Sequence, residues 1–256
     1  MDLGQFGWEL KRTFSVAGLD PRSNVIESSQ RAAPRPLENR GIMNIGIIGA
    51  GHIGGTAARL FAKAGHPVAV SNSRGPGSLQ SLAAEIGAQV HATDVDDAAR
   101  FGSVVLLAVP WRTPEALPAA ELVAGKIVID AMNPYGPGGE ILELGATTSS
   151  EEVRKRLPGA RLVKAFNTIY YRHLATLGNT SLPLEERYAI FVAGDDAEAK
   201  QAVGGLIEEI GFAPVDTGGL VDGGRRQQPG SAIYNRPMTA PEARRILAAW
   251  PRTAAG

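Results

Sequence analysis

The chain has 256 residues and a formal net charge of zero, because 26 lysines and arginines balance 26 aspartates and glutamates. This balance provides no broad field for a nucleic acid or an anionic membrane, so we expect neither as a partner. The lack of cysteine excludes disulfides, thiolate metal sites and a cysteine nucleophile. The four histidines do not have the spacing of metal ligands, and no apolar run is long enough to cross a bilayer. We expect a cytoplasmic protein without a metal site.

Residues 1–42 differ in composition from the rest of the chain. They contain three prolines, several arginines and little apolar periodicity, which is typical of a disordered extension. Met43 directly precedes the first strong apolar run, so one hypothesis is that translation starts there. The first residues lack a positive start followed by an apolar core, so we expect no secretory signal, and their acidic residues argue against an organelle transit peptide.

Between residues 43 and 148, short apolar runs alternate with segments of helical pattern. An alanine-rich helix ends at Gly65, which is a typical left-handed cap. The alternation predicts right-handed βαβ units and an α/β fold with a Rossmann-type, doubly wound parallel sheet. The predicted strands are Asn44–Ile48, Pro67–Ser71, Gln89–His91, Val104–Val109 and Ile127–Asp130, and the predicted helices are Ile53–Ala64 and Ser78–Ile86.

Residues 149–256 are predicted to form a small C-terminal α/β lobe that completes a binding cleft. Its predicted helices are Ser149–Leu157, Ala197–Ile210 and Pro241–Ala249, and its predicted strands are Arg161–Ala165, Tyr188–Ala193 and Ala213–Asp216. The segment Gly223–Asn235 is polar, rich in glycine and without a regular pattern. Such segments are often binding loops or lids, although a surface loop or a dimer contact is an equal alternative.

The motif G-A-G-H-I-G spans Gly49–Gly54 and lies between an apolar strand and a helix. In this context it indicates a dinucleotide site at Gly49, Gly51, His52, Ile53 and Gly54. The first glycine permits a tight turn, the second lets the backbone approach a pyrophosphate, and the third allows close packing of helix and strand. The start of the helix supplies free N–H groups and a partial positive charge for the phosphates.

The end of the second predicted strand indicates which dinucleotide is bound. An NAD site usually has an acidic residue here to hold the ribose 2′-hydroxyl. The sequence instead reads S-N-S-R-G-P, in which Asn72 and Ser73 can donate hydrogen bonds and Arg74 offers a charged fork for a 2′-phosphate. We therefore predict that the chain prefers NADP(H).

These residues, together with four later segments, resemble the NADPH-dependent reductases of the deazaflavin coenzyme F420. The later segments are A-V-P-W from Ala108, D-A-M-N-P from Asp130, K-A-F-N-T from Lys164 and F-V-A-G-D-D from Phe191. The resemblance covers about residues 43–220, and the chain is also similar to the cytoplasmic reductase domain of the STEAP metalloreductases. The resemblance implies a nucleotide domain with a small C-terminal lobe, and a nicotinamide in the cleft between this domain and the lobe. Members of the family are usually dimeric, so the resemblance also implies a homodimer.

The resemblance also implies site residues at the ends of the later strands. The implied cofactor contacts are Ala108, Val109, Pro110, Asn133 and Ala165, and the implied acceptor pocket contains Pro134, Phe166 and Asn167. We add Arg225 to the acceptor pocket, because it and Arg226 could attract an anionic acceptor. The archaeal coenzyme reductases carry a histidine where this chain has Asn167, so we expect a different acceptor pocket here. Trp111 is either a pocket wall or an aromatic residue at the edge of the core.

The leading interpretation is an NADPH-dependent oxidoreductase that transfers a hydride between NADPH and coenzyme F420 or a flavin-like acceptor. Such a reaction needs little beyond the alignment of two rings, so no catalytic residue is assigned, although Tyr170, Tyr171 and His173 are candidate proton donors. One alternative is a non-catalytic NADP(H) sensor or assembly subunit. Another is a reductase of a small imine or keto acid, but those enzymes usually append long helices, which this C-terminal region lacks.

Overall fold

A computed structural model describes residues 41–111 and 113–250, and in this part of the chain eight strands form one sheet. The strand order is β3-β2-β1-β4-β5-β6-β7-β8. Neighbouring strands are parallel except β6 and β7, which are antiparallel. The strands are β1 (Ile45–Ile48), β2 (Val68–Ser71), β3 (Val90–Ala92), β4 (Val104–Leu107), β5 (Ile127–Asp130), β6 (Arg161–Ala165), β7 (Ala189–Ala193) and β8 (Ala213–Gly218).

Helices cover both faces of the sheet. They are α1 (His52–Lys63), α2 (Gln80–Ile86), α3 (Val95–Phe101), α4 (Ala120–Val123), α5 (Ser149–Arg156), α6 (Tyr171–Thr176), α7 (Ala197–Glu209), α8 (Asp222–Arg226) and α9 (Ala240–Ala248). Apolar residues of α1, α2, α6 and α7 form one core with the sheet, and those of α3, α4 and α5 form a second core on the other face. Alternate residues of β1 divide between these cores, because Ile47 belongs to the first and Ile48 to the second.

The position of β1 determines where a ligand can bind. Its chain neighbour β2 lies on one side and β4 lies on the other, so the strand order reverses between β1 and β4. In open α/β sheets, ligands bind beyond the carboxyl ends of the strands at such a reversal. The carboxyl ends of β1, β2, β4, β5 and β6 meet at this one edge, because these strands are parallel.

The predicted fold class is confirmed, and each predicted strand lies within two residues of an observed one. The short helices α3, α4 and α6 were not predicted. The interpretation of Gly223–Asn235 as structureless is wrong at its start, where α8 ends at Arg226. The strands after residue 148 continue the same sheet, and the domain boundary at that residue stays a prediction.

The expectations for the N-terminal residues stay predictions. The predicted extension covers residues 1–42, and residues 1–40 lie outside the described part of the chain. The hypothesis of a translation start at Met43 is not tested either. In the described part, no helix has the length and apolar character needed to cross a membrane.

Candidate dinucleotide and acceptor site

The turn after β1 is fixed by two glycines that the fold itself requires. Gly49 has a φ of +102°, and a Cβ there would lie 2.4 Å from the carbonyl oxygen of Ala108. A Cβ on Gly54 would lie 1.8 Å from the carbonyl oxygen of Gly49. Any larger residue at either position would therefore force β1, β4 and α1 apart.

Gly51 differs from these two glycines, because a Cβ there would meet nothing within 4 Å. It is the N-terminal cap residue of α1, and this helix has neither a side-chain cap nor an acidic residue in its first turn. The first N–H groups of α1 thus remain available to an anion, and the helix dipole favours one. The fold has room for a larger residue at position 51. A phosphate that approaches these N–H groups, however, needs the space that a side chain would fill.

The loop after β2 holds the residues predicted to select the nucleotide. The side chain of Asn72 shapes this loop, because its Nδ2 donates to Ser78 Oγ over 2.9 Å and its Oδ1 accepts from the Arg74 backbone N–H over 2.9 Å. Ser73 and Arg74 are exposed. The Arg74 guanidinium has no hydrogen-bond or ion-pair partner within the described ranges, so it is free to meet a ligand phosphate. Asn72 is occupied within the loop, and its role as a ligand donor stays a prediction.

The end of β4 adjoins the glycine turn. The backbone N–H of Ala108 donates to the carbonyl of Ile48 over 2.8 Å, which extends the β1–β4 ladder to the residue before the turn. Val109 is half-buried and Pro110 is exposed at the same edge. These predicted cofactor contacts therefore border the turn, although no bound nucleotide tests them.

The ends of β5 and β6 are joined by paired asparagines. Asn133 Nδ2 donates to the backbone carbonyl of Asn167 over 2.8 Å, and Asn167 Nδ2 donates to Asn133 Oδ1 over 3.1 Å. Asn167 Nδ2 also donates to the carbonyl of Gln227 over 2.8 Å. Between these strand ends, Phe166 is fully buried with a φ of 65°, a conformation that residues other than glycine rarely adopt. The asparagine pair holds this segment in place.

Two tyrosines that sequence reasoning missed complete the polar cluster. The Tyr234 hydroxyl accepts from Asn133 Nδ2 over 3.1 Å and from the Tyr135 hydroxyl over 3.0 Å. Burial, followed by the hydrogen bond with Tyr135, raises the pKa of Tyr234, so this hydroxyl stays protonated. Tyr234 is 101 positions from Asn133 and lies in the segment interpreted as a loop, so no local pattern could have revealed the contact.

The predicted acceptor residues do not all converge. Pro134 is buried beside the asparagine pair, whereas Arg225 is exposed and donates to the carbonyl of Ala146 over 2.8 Å. Arg226 donates to the carbonyl of Thr217 over 3.0 Å. Two buried oxygen atoms of the polar cluster lack a hydrogen-bond donor. Asn167 Oδ1 and Gln227 Oε1 accept no hydrogen bond from the described part of the chain.

A buried ion pair joins β5 and β6 near their carboxyl ends. Lys164 and Asp130 are 1% and 0% exposed, and Lys164 Nζ lies 3.0 Å from Asp130 Oδ2. Lys164 Nζ also donates to the carbonyl of Met132, and Ser150 Oγ donates to Asp130 Oδ2 over 2.7 Å. Burial lowers the pKa of Lys164, and the charge of Asp130 opposes this decrease. The pair ties β5 to β6 just before the site residues.

The candidate proton donors lie at the start of α6, beside α1. The Tyr171 ring stacks on His52, with ring centroids 4.1 Å apart and planes at 14°. The hydrogen bond with Arg172 lowers the pKa of Tyr171, and Tyr170 packs edge-on against Tyr171 and His173. His52 therefore lies at the rim of the turn, and its role as a cofactor contact stays a prediction. A role in proton transfer for any of these residues stays a prediction.

Comparisons with known proteins place this site in a family. The family model described as "NADP oxidoreductase coenzyme F420-dependent" matches residues 44–134. A hypothetical protein from Sinorhizobium meliloti, known from a crystal structure, is 36% identical, with a TM-score of 0.68 over 78% of this chain and 96% of that one. A candidate F420-dependent NADP-reductase from Arthrobacter sp. FB24 is 26% identical, with a TM-score of 0.58 over 70% of this chain and 86% of that one.

A curated relative, the metalloreductase STEAP3 of Rattus norvegicus, is 29% identical over 197 residues. The alignment covers 77% of this chain but 37% of that protein. By fold and by these relationships, the chain has the Rossmann-type fold of the NADP-dependent oxidoreductases. It belongs to the family of coenzyme F420-dependent NADP oxidoreductases.

Two glycine substitutions should separate binding from folding. We expect Gly51→Ala to leave the thermal midpoint unchanged but to weaken NADPH binding roughly 10- to 100-fold, because a methyl group would displace a phosphate from the α1 N–H groups. Gly54→Ala should destabilise the fold by roughly 1–3 kcal/mol or more, because its Cβ meets backbone. Thermal unfolding and NADPH titration measure the two effects.

Gly55→Ala is the matched control for both variants. Its Cβ would lie 3.5 Å from its nearest neighbour, the carbonyl oxygen of Ala50, which is an ordinary contact. We expect Gly55→Ala to stabilise the helix by about 0.5–1 kcal/mol. Unchanged NADPH affinity in Gly51→Ala would contradict the phosphate site.

Proposed function

We propose that this protein is an NADPH-dependent reductase that delivers a hydride to a flavin-like or deazaflavin ring. The observation that carries the proposal is the uncapped start of α1, which opens on Gly51 at the reversal of strand order. This site fits a pyrophosphate, and the free cation of Arg74 lies at the end of the neighbouring strand β2. When bound, NADPH supplies the hydride from its nicotinamide ring and leaves as NADP⁺.

The residues of this chain would contribute mainly position. Parallel strands bring Gly51, Pro110, Asn133 and Asn167 to one edge, so a dinucleotide that extends from the turn would pass the ends of β4 and β5. The hydrogen-bonded asparagine pair would form the floor of the cleft beneath a planar ring. Alignment of donor and acceptor rings is the main requirement for hydride transfer. The single proton that completes the reduced acceptor after hydride transfer would come from water or from a nearby hydroxyl.

The nature of the acceptor is part of the proposal. The family relationship favours coenzyme F420, and the similarity to the metalloreductase STEAP3 favours a metal ion as the final electron acceptor. Asn167 replaces the histidine of the archaeal coenzyme reductases, which supports an acceptor pocket different from theirs. A protein that only senses NADP(H) would bind the nucleotide equally well, so turnover decides between the two functions.

Oxidation of NADPH should be followed at its near-ultraviolet absorbance with F420, FMN, riboflavin and ferric citrate as separate acceptors. We expect turnover with at least one ring acceptor, and faster turnover with NADPH than with NADH. Tight NADPH binding without turnover on any acceptor would contradict the reductase and favour the sensor.

The choice of nucleotide rests on Arg74. We expect Arg74→Ala to weaken NADPH binding roughly 10- to 100-fold and to leave NADH binding within about twofold, because only NADPH carries the 2′-phosphate. Arg100→Ala is the matched control, since Arg100 is an exposed arginine on α3 that pairs with Asp97. Equal losses for the two nucleotides in Arg74→Ala would contradict the assignment. Calorimetric titration gives all of these affinities.

A further inference from the structure

The buried ion pair Lys164–Asp130 occupies a place in the sheet where apolar side chains would be expected. Asp130 and Lys164 face each other as the last register pair of β5 and β6. Val128 and Leu162, two residues earlier on the same strands, belong to the second core, so the ion pair lies on the same face of the sheet. We call Asp130 and Lys164 the strand-end pair.

Fold stability alone does not account for the strand-end pair. Two charges that leave water lose solvation, and apolar residues of similar volume in place of a buried ion pair often leave stability unchanged or increase it. The core residues that precede the pair on both strands are apolar, so an apolar pair would continue the same layer. Side chains that are 1% and 0% exposed and yet charged therefore indicate a task in addition to joining the two strands.

The strand-end pair binds both backbone polar groups of Met132. Asp130 Oδ1 accepts from the Met132 N–H over 2.9 Å, and Lys164 Nζ donates to the Met132 carbonyl over 2.5 Å. The register of β5 and β6 ends at the pair itself, so these side chains replace the backbone partner that a further strand residue would have provided. The chain is thus held by side chains beyond the end of β5.

The start of α5 holds the strand-end pair in turn. Lys164 Nζ lies 3.3 Å from Ser149 Oγ, and Ser150 Oγ donates to Asp130 Oδ2 over 2.7 Å. Together with the contact between Lys164 Nζ and Asp130 Oδ2 over 3.0 Å, these bonds give each of the three donors of the lysine ammonium an acceptor. Both side chains are therefore held in one orientation.

Through Met132, the strand-end pair fixes the orientation of Asn133. The Met132 carbonyl and the Asn133 N–H belong to one planar trans peptide, so a donor to this carbonyl also sets the direction of the N–H, which points the opposite way. The Asn133 N–H has no hydrogen-bond acceptor within the described ranges. Its side chain is held separately, by Asn167 and Tyr234. Asn133 therefore presents a backbone donor of fixed direction at the end of β5.

We infer that Lys164 and Asp130 are positioning residues for the nicotinamide ring of NADPH, and that they act through the peptide between Met132 and Asn133. This inference rests on the proposed function, in which the dinucleotide extends from the α1 turn past the ends of β4 and β5. The phosphates would be bound elsewhere, at the start of α1 and at Arg74. Loss of the strand-end pair should therefore release the ring with little loss of affinity.

The test uses the full chain saturated with NADPH and measures the fluorescence anisotropy of the dihydronicotinamide ring, the NADPH affinity and the thermal midpoint. Lys164→Met removes the donor to the Met132 carbonyl and keeps a side chain of similar length. The double variant Lys164→Met/Asp130→Asn also removes the charge that the single variant leaves unpaired in the core. Arg161→Met is the matched control, because Arg161 lies at the other end of β6 and pairs with Asp196.

We expect the ring of NADPH to be immobilised on wild-type protein, and its anisotropy to fall about twofold or more in both strand-end variants while the affinity stays within about threefold. With an acceptor that the wild-type protein uses, the maximal rate should fall about 10- to 100-fold with little change in the KM for NADPH. Arg161→Met should lower the thermal midpoint without either change.

Four results would each overturn the inference. They are unchanged anisotropy in a folded strand-end variant, a ring that is as mobile on wild-type protein as in free NADPH, an equal loss of anisotropy in Arg161→Met, and failure of the double variant to fold. The last result would show that the strand-end pair serves the fold itself.

These outcomes are separate from those of the proposed function. An immobilised ring that the strand-end variants release, without NADPH oxidation by any acceptor, would support the positioning role and contradict the reductase. NADPH oxidation that both strand-end variants leave unchanged would support the reductase and overturn the positioning role.

Discussion

The contact between the start of α1 and the turn after β1 is the constraint on which the candidate site depends. Gly54 lets the helix lie directly against the carbonyl of Gly49, and Gly49 lets the turn pass the end of β4. With these contacts in place, the first N–H groups of α1 point beyond the sheet edge at the point where the strand order reverses. A wider turn would move these groups away from the cleft, and the strand ends that follow would no longer face them.

A second set of contacts holds the opposite side of the cleft. The buried Lys164–Asp130 pair fixes β5 against β6, and the Asn133–Asn167 pair fixes the segments that follow these strands. A buried ion pair is costly unless it is well hydrogen-bonded, and here Ser150 and the Met132 carbonyl supply further bonds. Phe166 keeps its unusual backbone conformation within this frame. Both sides of the cleft are therefore set before any ligand arrives.

The sequence predicted those parts of the fold that depend on local pattern. The buried parallel strand Ile127–Asp130 appears as an apolar run that ends at an aspartate, and the observed strand has the same bounds. The glycine motif could also be interpreted from the sequence, because the expected role of each glycine follows from the strand and the helix that flank the motif. The reversal of β7 relative to β6 could not be predicted, since it is set by tertiary pairing across a long connection.

The acceptor side was predicted less completely, and the reason is physical. Tyr234, Gln227 and the asparagine pair meet through contacts between residues that are 34 to 101 positions apart. Asn133 was named because it follows a predicted strand, and Asn167 was named from the family resemblance, whereas Tyr234 follows no pattern that a single sequence reveals. Trp111 allowed two interpretations in the sequence, and the structure fits both, because Trp111 lines a cavity beyond β4 and also packs against the second core.

The most direct test of the account is a crystal structure of the protein with NADPH bound. The account predicts the pyrophosphate at the start of α1 beside Gly51, the 2′-phosphate within ion-pair distance of Arg74, and the nicotinamide near Asn133. A nucleotide whose phosphates do not contact the start of α1 would contradict it.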